Sequence, residues 1–157
     1  MQSTDQILVA EEVLKLYQTD RDSFIQEWLQ KTKDTLVEAL DIQFIELSPD
    51  KVVLQMPVGP KTKQPLGYLH GGASVALAES AASYATMLNI NPKEKIAFGL
   101  EINANHIKSK RDGVVTAIAT PYHKGRSTMV WDVKILDENN DLICISRCTM
   151  AVLDKRK

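Results

Sequence analysis

The spacing of apolar positions changes near residue 42 and divides the chain into a helical beginning and a strand-rich remainder. Residues 1–40 carry apolar side chains three and four positions apart, in two runs separated by the polar segment TDRDS, which is typical of helices. From residue 42, IQFIEL and KVVLQMPV predict two strands joined by a turn at SPD. We therefore predict an N-terminal helical extension over residues 1–34 and one domain over residues 35–157.

The domain is predicted to hold one long helix and four further strands after a Pro- and Gly-containing loop at residues 59–69. The helix runs from about residue 71 to residue 88 and ends before Asn91-Pro92. The strands are expected at residues 96–107, 114–123, 127–136 and 142–153. Short turns between them favour antiparallel hairpins. The fold class is therefore α+β, with one helix against a six-stranded antiparallel sheet. Because one helix cannot cover both faces of that sheet, we expect a second copy of the chain to bury a face or an edge.

Composition narrows the possible classes of protein. The chain has 157 residues, 44% of them hydrophobic, which suits one globular domain. Its net charge of −1 gives no positive electrostatic field that would attract nucleic acid or an anionic membrane. No apolar run reaches the 18 residues of a membrane span, and the acidic N-terminus does not resemble a secretory signal. Cys144 and Cys148 lie four residues apart, too far for an easy disulfide within one strand, so we expect two buried thiols. These features predict a cytoplasmic protein.

One carboxylate stands out in an otherwise uncharged stretch. Glu79 is the only charged residue between Gly71 and Pro92, and glycine, alanine and serine fill eleven of the fifteen positions from 71 to 85. Small residues let a helix pack closely against other backbone, so Glu79 is expected to be partly desolvated. Charged side chains are seldom buried without a reason, because desolvating an unpaired charge is expensive.

Other polar groups gather around the predicted start of this helix. Gln64, His70 and Gly71 precede Glu79, and Ser83 follows it by four residues on the same helix face. The free N–H groups and positive dipole end of a helix start can polarise a carbonyl oxygen, and glycine allows close approach. A carboxylate beside a hydroxyl can activate water or attack an acyl carbon. The spacing therefore indicates chemistry at a carbonyl group.

Each of these residues also has an ordinary structural explanation. His70 can cap the helix, Glu79 can pair with a cation, Gly71-Gly72 can form a tight entry turn, and Ser83 can simply pack. Metal chemistry is not expected, because His70, His106 and His123 are the only histidines and neither HExxH nor CxxC occurs. The serine-hydrolase elbow GxSxG and the phosphate-binding GxxxxGK[ST] are missing as well. No cofactor is expected.

The segments QPLGYLHGGASVALAES and GLEINANHIKS resemble the hotdog-fold acyl-CoA thioesterases. Within these they are most similar to the branch acting on aromatic acyl-CoA and acyl-carrier-protein thioesters, which includes the bacterial 1,4-dihydroxy-2-naphthoyl-CoA hydrolases and their enterobactin-proofreading relatives. The resemblance covers about residues 35–153, and TKQPLG, LHGGAS, LAES, LEINANH and HKGR follow in family order.

The resemblance implies a role for each candidate residue. Glu79 matches the catalytic nucleophile or general base, and the Gly71 N–H matches the group that polarises the thioester carbonyl. His70 and Gln64 match residues that position substrate and water or leaving group, and Ser83 matches a hydroxyl one turn after the carboxylate. The implied contacts with coenzyme A are Gly99, His106, Ile107, Lys108, Ser109, His123, Lys124, Gly125, Arg126, Ser127 and Thr128.

The resemblance further implies hydrolysis of an acyl-CoA or acyl-carrier-protein thioester to the free acid, without a metal. Such proteins form dimers, usually paired into tetramers, with active sites at the dimer interface, where Glu79 of one subunit faces His70 and Gln64 of the other. Two alternatives stay open. The substrate can be a medium-chain or phenylacetyl-type acyl-CoA, or the protein can bind acyl-CoA without catalysis. The short acidic N-terminus, which lacks a basic stripe, argues against a DNA-binding sensor.

Overall fold

The computed structural model describes Lys15 and residues 30–92 and 94–155. Two helices are bounded within these residues, α1 at Leu36–Ala39 and α2 at Gly71–Met87. The six strands are β1 at Gln43–Ser48, β2 at Lys51–Pro57, β3 at Lys95–His106, β4 at Val114–Lys124, β5 at Thr128–Asp137 and β6 at Leu142–Asp154. No helix among the described residues is long and apolar enough to span a bilayer.

The six strands form one sheet in the order β1-β2-β4-β5-β6-β3, and every neighbouring pair is antiparallel. Helix α2 contacts β2 through β6, so it crosses one face of the sheet, which we call the inner face. The predicted hotdog arrangement is confirmed. Strand β3 lies at one edge of the sheet although it is third in the chain, because the β4–β5–β6 meander is inserted between it and β2.

The core lies between α2 and the inner face, and the small residues of α2 explain how closely the two approach. Ala78, Ala81 and Ala85 are completely buried. Trp131 of β5 is also fully buried, and its indole Nε1–H donates a 2.8 Å hydrogen bond to Oγ1 of Thr86. This bond satisfies a polar group that would otherwise be costly to bury. Both cysteines are buried and free, as the sequence predicts.

Strand β3 carries an irregularity beside the middle of α2. Gly99 pairs with Met150 of β6 and Glu101 pairs with Thr149, so Leu100 is an extra residue that forms a bulge. Apolar side chains of this edge strand reach solvent: Ile96, Phe98 and Leu100 are 38%, 54% and 64% exposed. An edge strand of this length with exposed apolar side chains is an unusual feature for an isolated domain.

The N-terminal prediction is wrong at one point. Residues 30–32 are helical, but residues 33–35 form a turn, and helix α1 restarts after it. Asp34 adopts a left-handed backbone with φ of 59°, and its N–H donates a 2.6 Å hydrogen bond to the Glu38 carboxylate. Residues 1–29 lie outside the described residues apart from Lys15, which is helical. The boundary at residues 34 and 35 therefore stays a prediction.

Candidate active site

Helix α2 begins with an available backbone donor. His70 is its N-cap, and Nδ1 of the imidazole accepts a 2.8 Å hydrogen bond from the Gly72 N–H. The neutral ring therefore carries its proton on Nε2. The Gly71 N–H has no acceptor in the described part of the chain. It lies at the positive end of a 17-residue helix, which suits it to polarise a carbonyl oxygen.

A second imidazole covers the other side of Gly71. A methyl group added at Gly71 would lie 2.7 Å from Nε2 of His106, so this ring would have to shift if any other residue stood at position 71. His106 is the last residue of β3, and the Ile107 N–H after it donates to the carbonyl of Ile143. The end of the edge strand is thereby held beside the start of α2.

The loop that carries Gln64 is fixed by its own hydrogen bonds. The Gln64 N–H donates a 2.8 Å hydrogen bond to the carbonyl of Tyr68, and the Gly67 N–H donates a 2.9 Å hydrogen bond to the carbonyl of Gln64. The side-chain oxygen of Gln64 accepts from the Leu66 N–H. Its side-chain NH₂ is therefore the group left to act as a donor toward a bound molecule.

These elements enclose a cleft of about 370 Å³ at the start of α2. It is lined by Gln64, Tyr68, Leu69, Gly71, Ser74, His106, Ile107, Lys108, Ser109, Lys110 and Ile143. The cleft thus joins the available Gly71 N–H to one of the two predicted coenzyme A segments. His70 caps the helix outside this lining.

Glu79 lies farther along α2, against β3. A methyl group added at Gly99 would lie only 2.1 Å from Oε1 of Glu79, so the carboxylate rests directly on the Gly99 backbone. Burial, followed by the charges of Glu79 and Glu101, raises the pKa of Cys148 to about 12, which keeps that neighbouring thiol neutral at physiological pH. Glu79 is partly buried, as predicted, and Ser83 follows one turn later, also partly buried.

The two parts of the candidate site are well separated within one chain. Glu79 follows Gly71 by eight residues, which corresponds to about 12 Å along a helix axis. Reacting atoms must approach to about 3–3.5 Å. A carbonyl group bound at Gly71 is therefore beyond the reach of the same chain's Glu79. We call the parts the helix-start half (Gln64, His70, Gly71, His106) and the carboxylate half (Glu79, Ser83, Gly99).

The predicted coenzyme A residues divide in the same way. Gly99 and His106 lie seven residues apart on β3, or about 24 Å along a strand. Thr128 pairs with Ala151, which pairs with Phe98, so the segment of residues 123–128 lies at the Gly99 end of β3. Residues 106–109 lie at the opposite end, in the cleft. One chain does not bring the two segments together.

Two of the predicted cationic contacts already have acidic partners. The Lys108 ammonium pairs with Asp141, in the turn between β5 and β6. Lys124 bonds Asp50 and the side-chain oxygen of Asn89, the latter at 3.2 Å, and so ties the β1–β2 turn to the end of α2. Lys108 must exchange its partner to bind a phosphate, and Lys124 is better explained as a structural tether.

The remaining predicted contacts belong to one tight turn. A methyl group at Gly125 would lie 2.5 Å from Nε2 of His123 and 2.8 Å from the Thr128 carbonyl oxygen. The Ser127 carbonyl accepts from the Val152 N–H, while Arg126 is exposed. The turn therefore presents one exposed cation, Arg126, near the carboxylate half.

Comparisons with known proteins show which family the chain belongs to. The sequence pattern described as the thioesterase superfamily matches residues 66–144. A protein of Listeria monocytogenes named 1,4-dihydroxy-2-naphthoyl-CoA hydrolase is 54% identical over 122 residues, which cover 78% of this chain and 98% of that protein. An Escherichia coli protein of the same name is 48% identical over 118 residues, covering 75% and 86%. The crystal structure of a mutant thioesterase from Pseudomonas aeruginosa matches with a TM-score of 0.80 and 39% identity, covering 83% of this chain and 94% of that one.

The chain belongs to the thioesterase superfamily. It is a thioester hydrolase, and the resemblance drawn from its motifs is confirmed. In this thioesterase, a helix-start N–H and a partly buried carboxylate are the groups suited to acyl chemistry. No group of three or more His, Cys, Asp or Glu side chains suited to hold a metal ion occurs among the described residues.

Sequence reasoning missed several residues of the thioesterase site. Ser74 lines the cleft one turn after Gly71, and this i, i+3 spacing was a signal that could have identified it. Cys148 lies near Glu79, but their proximity depends on the pairing of β3 with β6. Tyr68 lines the cleft and carries the Arg111 guanidinium 4.2 Å from its ring centre. The sequence contains no local signal for the last two.

Proposed function

We propose that this thioesterase hydrolyses an aromatic acyl-CoA, such as 1,4-dihydroxy-2-naphthoyl-CoA, to the free acid and coenzyme A. The observation that carries the proposal is that one helix presents two groups suited to acyl chemistry, an available Gly71 N–H beside a cleft and a partly buried Glu79 carboxylate. The names of the relatives from Listeria monocytogenes and Escherichia coli support the aromatic substrate.

In the proposed reaction, the thioester carbonyl accepts a hydrogen bond from the Gly71 N–H. Negative charge that develops on this oxygen is stabilised by the N–H and the helix dipole. Glu79 either removes a proton from the attacking water or attacks the carbonyl carbon itself. The side-chain NH₂ of Gln64 and the Nε2–H of His70 are donors that can orient the substrate, and Ser83 supports the carboxylate.

We propose no metal or cofactor beyond the coenzyme A of the substrate, because a thiolate leaves without strong acid assistance. An acyl-carrier-protein thioester is a further candidate, since it presents the same reacting bond. We keep the cytoplasm as the expected location.

Catalysis is proposed to need two copies of the chain, because the helix-start and carboxylate halves lie about 12 Å apart along α2. The unpaired edge of β3 supplies an interface, and its exposed Ile96, Phe98 and Leu100 favour association over solvation. Two β3 strands paired around a twofold axis extend the sheet and bring Glu79 of one copy toward Gly71 of the other.

A tetramer is supported by the outer face of the sheet, opposite α2. Tyr122 and Ile145 are 66% and 37% exposed there, around a hollow of about 510 Å³. Asp132 and Arg147 face each other across β5 and β6 in the same area. Opposite charges beside apolar side chains make the face self-complementary for twofold docking. We therefore propose a dimer of dimers.

The test is release of free coenzyme A from 1,4-dihydroxy-2-naphthoyl-CoA, benzoyl-CoA and a saturated medium-chain acyl-CoA. Rapid hydrolysis of an aromatic thioester is expected. Glu79→Ala should lower kcat by about 10²–10⁴, the range for loss of a general base, because no other group replaces its carboxylate. Circular dichroism of the variant should show an unchanged fold.

Other outcomes separate the alternatives. Preference for the medium-chain substrate would mean that the protein is a thioesterase for medium-chain acyl groups and not for aromatic ones. Tight acyl-CoA binding without turnover would indicate a binding protein. A Glu79→Ala variant that keeps the wild-type rate would contradict the proposed mechanism.

A further inference from the structure

His106 is the side chain that lies against Gly71 at the start of α2. Its Nε2, Cε1 and Cδ2 atoms lie 2.7, 3.1 and 3.2 Å from the position that a Gly71 methyl group would take. The tip of the imidazole, with Nε2 nearest, therefore points at the residue whose N–H is available to polarise a carbonyl group. The ring is exposed and also lines the cleft.

The segment that follows His106 in the chain supplies the cations of the cleft. Lys108 pairs with Asp141, and Lys110 pairs with Glu138 and Asp137, so each lysine must exchange its partner to bind a phosphate of coenzyme A. The acyl group must extend the other way, toward the attacking carboxylate. With the carbonyl oxygen at Gly71, the C–S bond points into the cleft, which is the side on which His106 stands.

We propose that His106 is a further catalytic residue, whose Nε2–H donates a hydrogen bond to the thioester sulfur as the thiolate departs. This rests on the proposed acyl-CoA hydrolysis. An oxygen of water, or of the Glu79 carboxylate, bonds to the carbonyl carbon, and the C–S electron pair moves onto sulfur. In the water route Glu79 takes the proton of water. In the other route the acyl–Glu79 anhydride that forms is cleaved by water, which gives the free acid and restores the carboxylate. His106 stabilises the anionic sulfur by hydrogen bonding, and the thiolate takes its proton from solvent.

His70 is less suited to this task, although it lies next to Gly71 in sequence. Its Nδ1 is occupied by the Gly72 N–H, which fixes the ring as the cap of α2, and it does not line the cleft. His106 is anchored through the backbone of the neighbouring Ile107, lies against Gly71 and lines the cleft. The structure therefore distinguishes a capping imidazole from one that faces the leaving group.

The experiment compares two thioesters of the same acyl group, one of coenzyme A and one of a nitrothiophenol. The aryl thiolate is a far better leaving group and needs little stabilisation. We expect His106→Ala to lower kcat at least tenfold with the coenzyme A thioester, with KM nearly constant, and less than threefold with the aryl thioester. His106→Gln retains an N–H donor and should recover part of kcat.

Three results would overturn the proposal. A raised KM with unchanged kcat would make His106 only a coenzyme A contact. An equal loss with both thioesters would indicate a structural role at the helix start, and thermal unfolding of the variant would check that. No loss with either would leave His106 without a function in catalysis. Failure of the proposed function is recognised separately, because wild-type protein would then show no Glu79-dependent hydrolysis of the coenzyme A thioester.

Discussion

At the scale of single residues, Gly99 is the residue that gives the Glu79 carboxylate its place. A methyl group at position 99 would lie 2.1 Å from Oε1 of Glu79, well inside any permitted contact. The flexible end of Glu79 can move away, so Gly99→Ala should fold normally but hold the carboxylate in the wrong position. Because small displacements of a reacting group are costly, kcat should fall by about 10²-fold. Steady-state kinetics and thermal unfolding measure the two effects.

Gly59→Ala is a matched control for that variant. A methyl group at Gly59 meets nothing within 4 Å, and the N–H that donates to Oγ1 of Thr62 is retained. Its kcat and midpoint of thermal unfolding should equal those of the wild type. If Gly99→Ala were as active as this control, the carboxylate would not depend on the open space at position 99.

Residue-level prediction from the sequence was strongest where the signal was local. An uncharged, small-residue stretch was enough to single out Glu79, and two glycines at a helix start indicated an N–H site at Gly71. The contact between Glu79 and Gly99 is different. It joins residues 20 positions apart and depends on the bulge at Leu100. No turn-forming residue in the sequence predicts that bulge. The resemblance named Gly99 as a coenzyme A contact but did not identify this packing role.

At the scale of secondary-structure elements, one buried hydrogen bond joins α2 to the sheet. Thr86→Val has nearly the same shape but leaves the buried Trp131 N–H without its acceptor. The free energy of unfolding should fall by about 1–3 kcal/mol, the cost of an unsatisfied buried donor. Urea denaturation measures it. Thr86→Ser keeps the hydroxyl but loses the methyl group, and it should lose less stability. A loss for Thr86→Val no larger than that for Thr86→Ser would show that the bond contributes no more than the packing of the methyl group.

The elements themselves followed closely from the sequence, because their signals are periodic and local. All six strands and α2 occur within two residues of the predicted bounds. The sequence does not predict the break at residues 33–35, because the break depends on a left-handed backbone at Asp34. An aspartate tolerates that conformation, but its presence in a sequence does not predict it. The sequence also does not predict that β3 lies at the sheet edge. Short turns predict which consecutive strands form hairpins, but they do not predict which strand pairs with β3.

At the scale of the whole molecule, the order of strands has a chemical consequence. It places residues 106–109 and residues 123–128 at opposite ends of the sheet, and the length of α2 separates Gly71 from Glu79. Sequence order alone suggested one compact cluster, because Gln64, His70, Gly71 and Glu79 lie within 16 positions of the chain. A helix converts that closeness in sequence into distance, which is why we propose that each chain holds halves of two different sites.

Mixed dimers test whether two chains complete one site. Glu79→Ala damages the carboxylate half, and Gln64→Ala removes the side-chain donor of the helix-start half that lines the cleft, so each variant alone should be nearly inactive. When the two are co-expressed in equal amounts, half of the dimers contain both chains, and each of these has one site with both halves intact. Activity should therefore return to about a quarter of the wild-type value.

The control is a mixture of the two purified variants under conditions where subunits do not exchange, which should stay inactive. Light scattering should report a mass of two or four chains for every sample. Activity that never returns in co-expressed dimers of proven mixed composition would mean that both halves act within one chain. In that case α2 and β3 would have to rearrange when substrate binds, because about 12 Å of helix separates the two groups in the free protein.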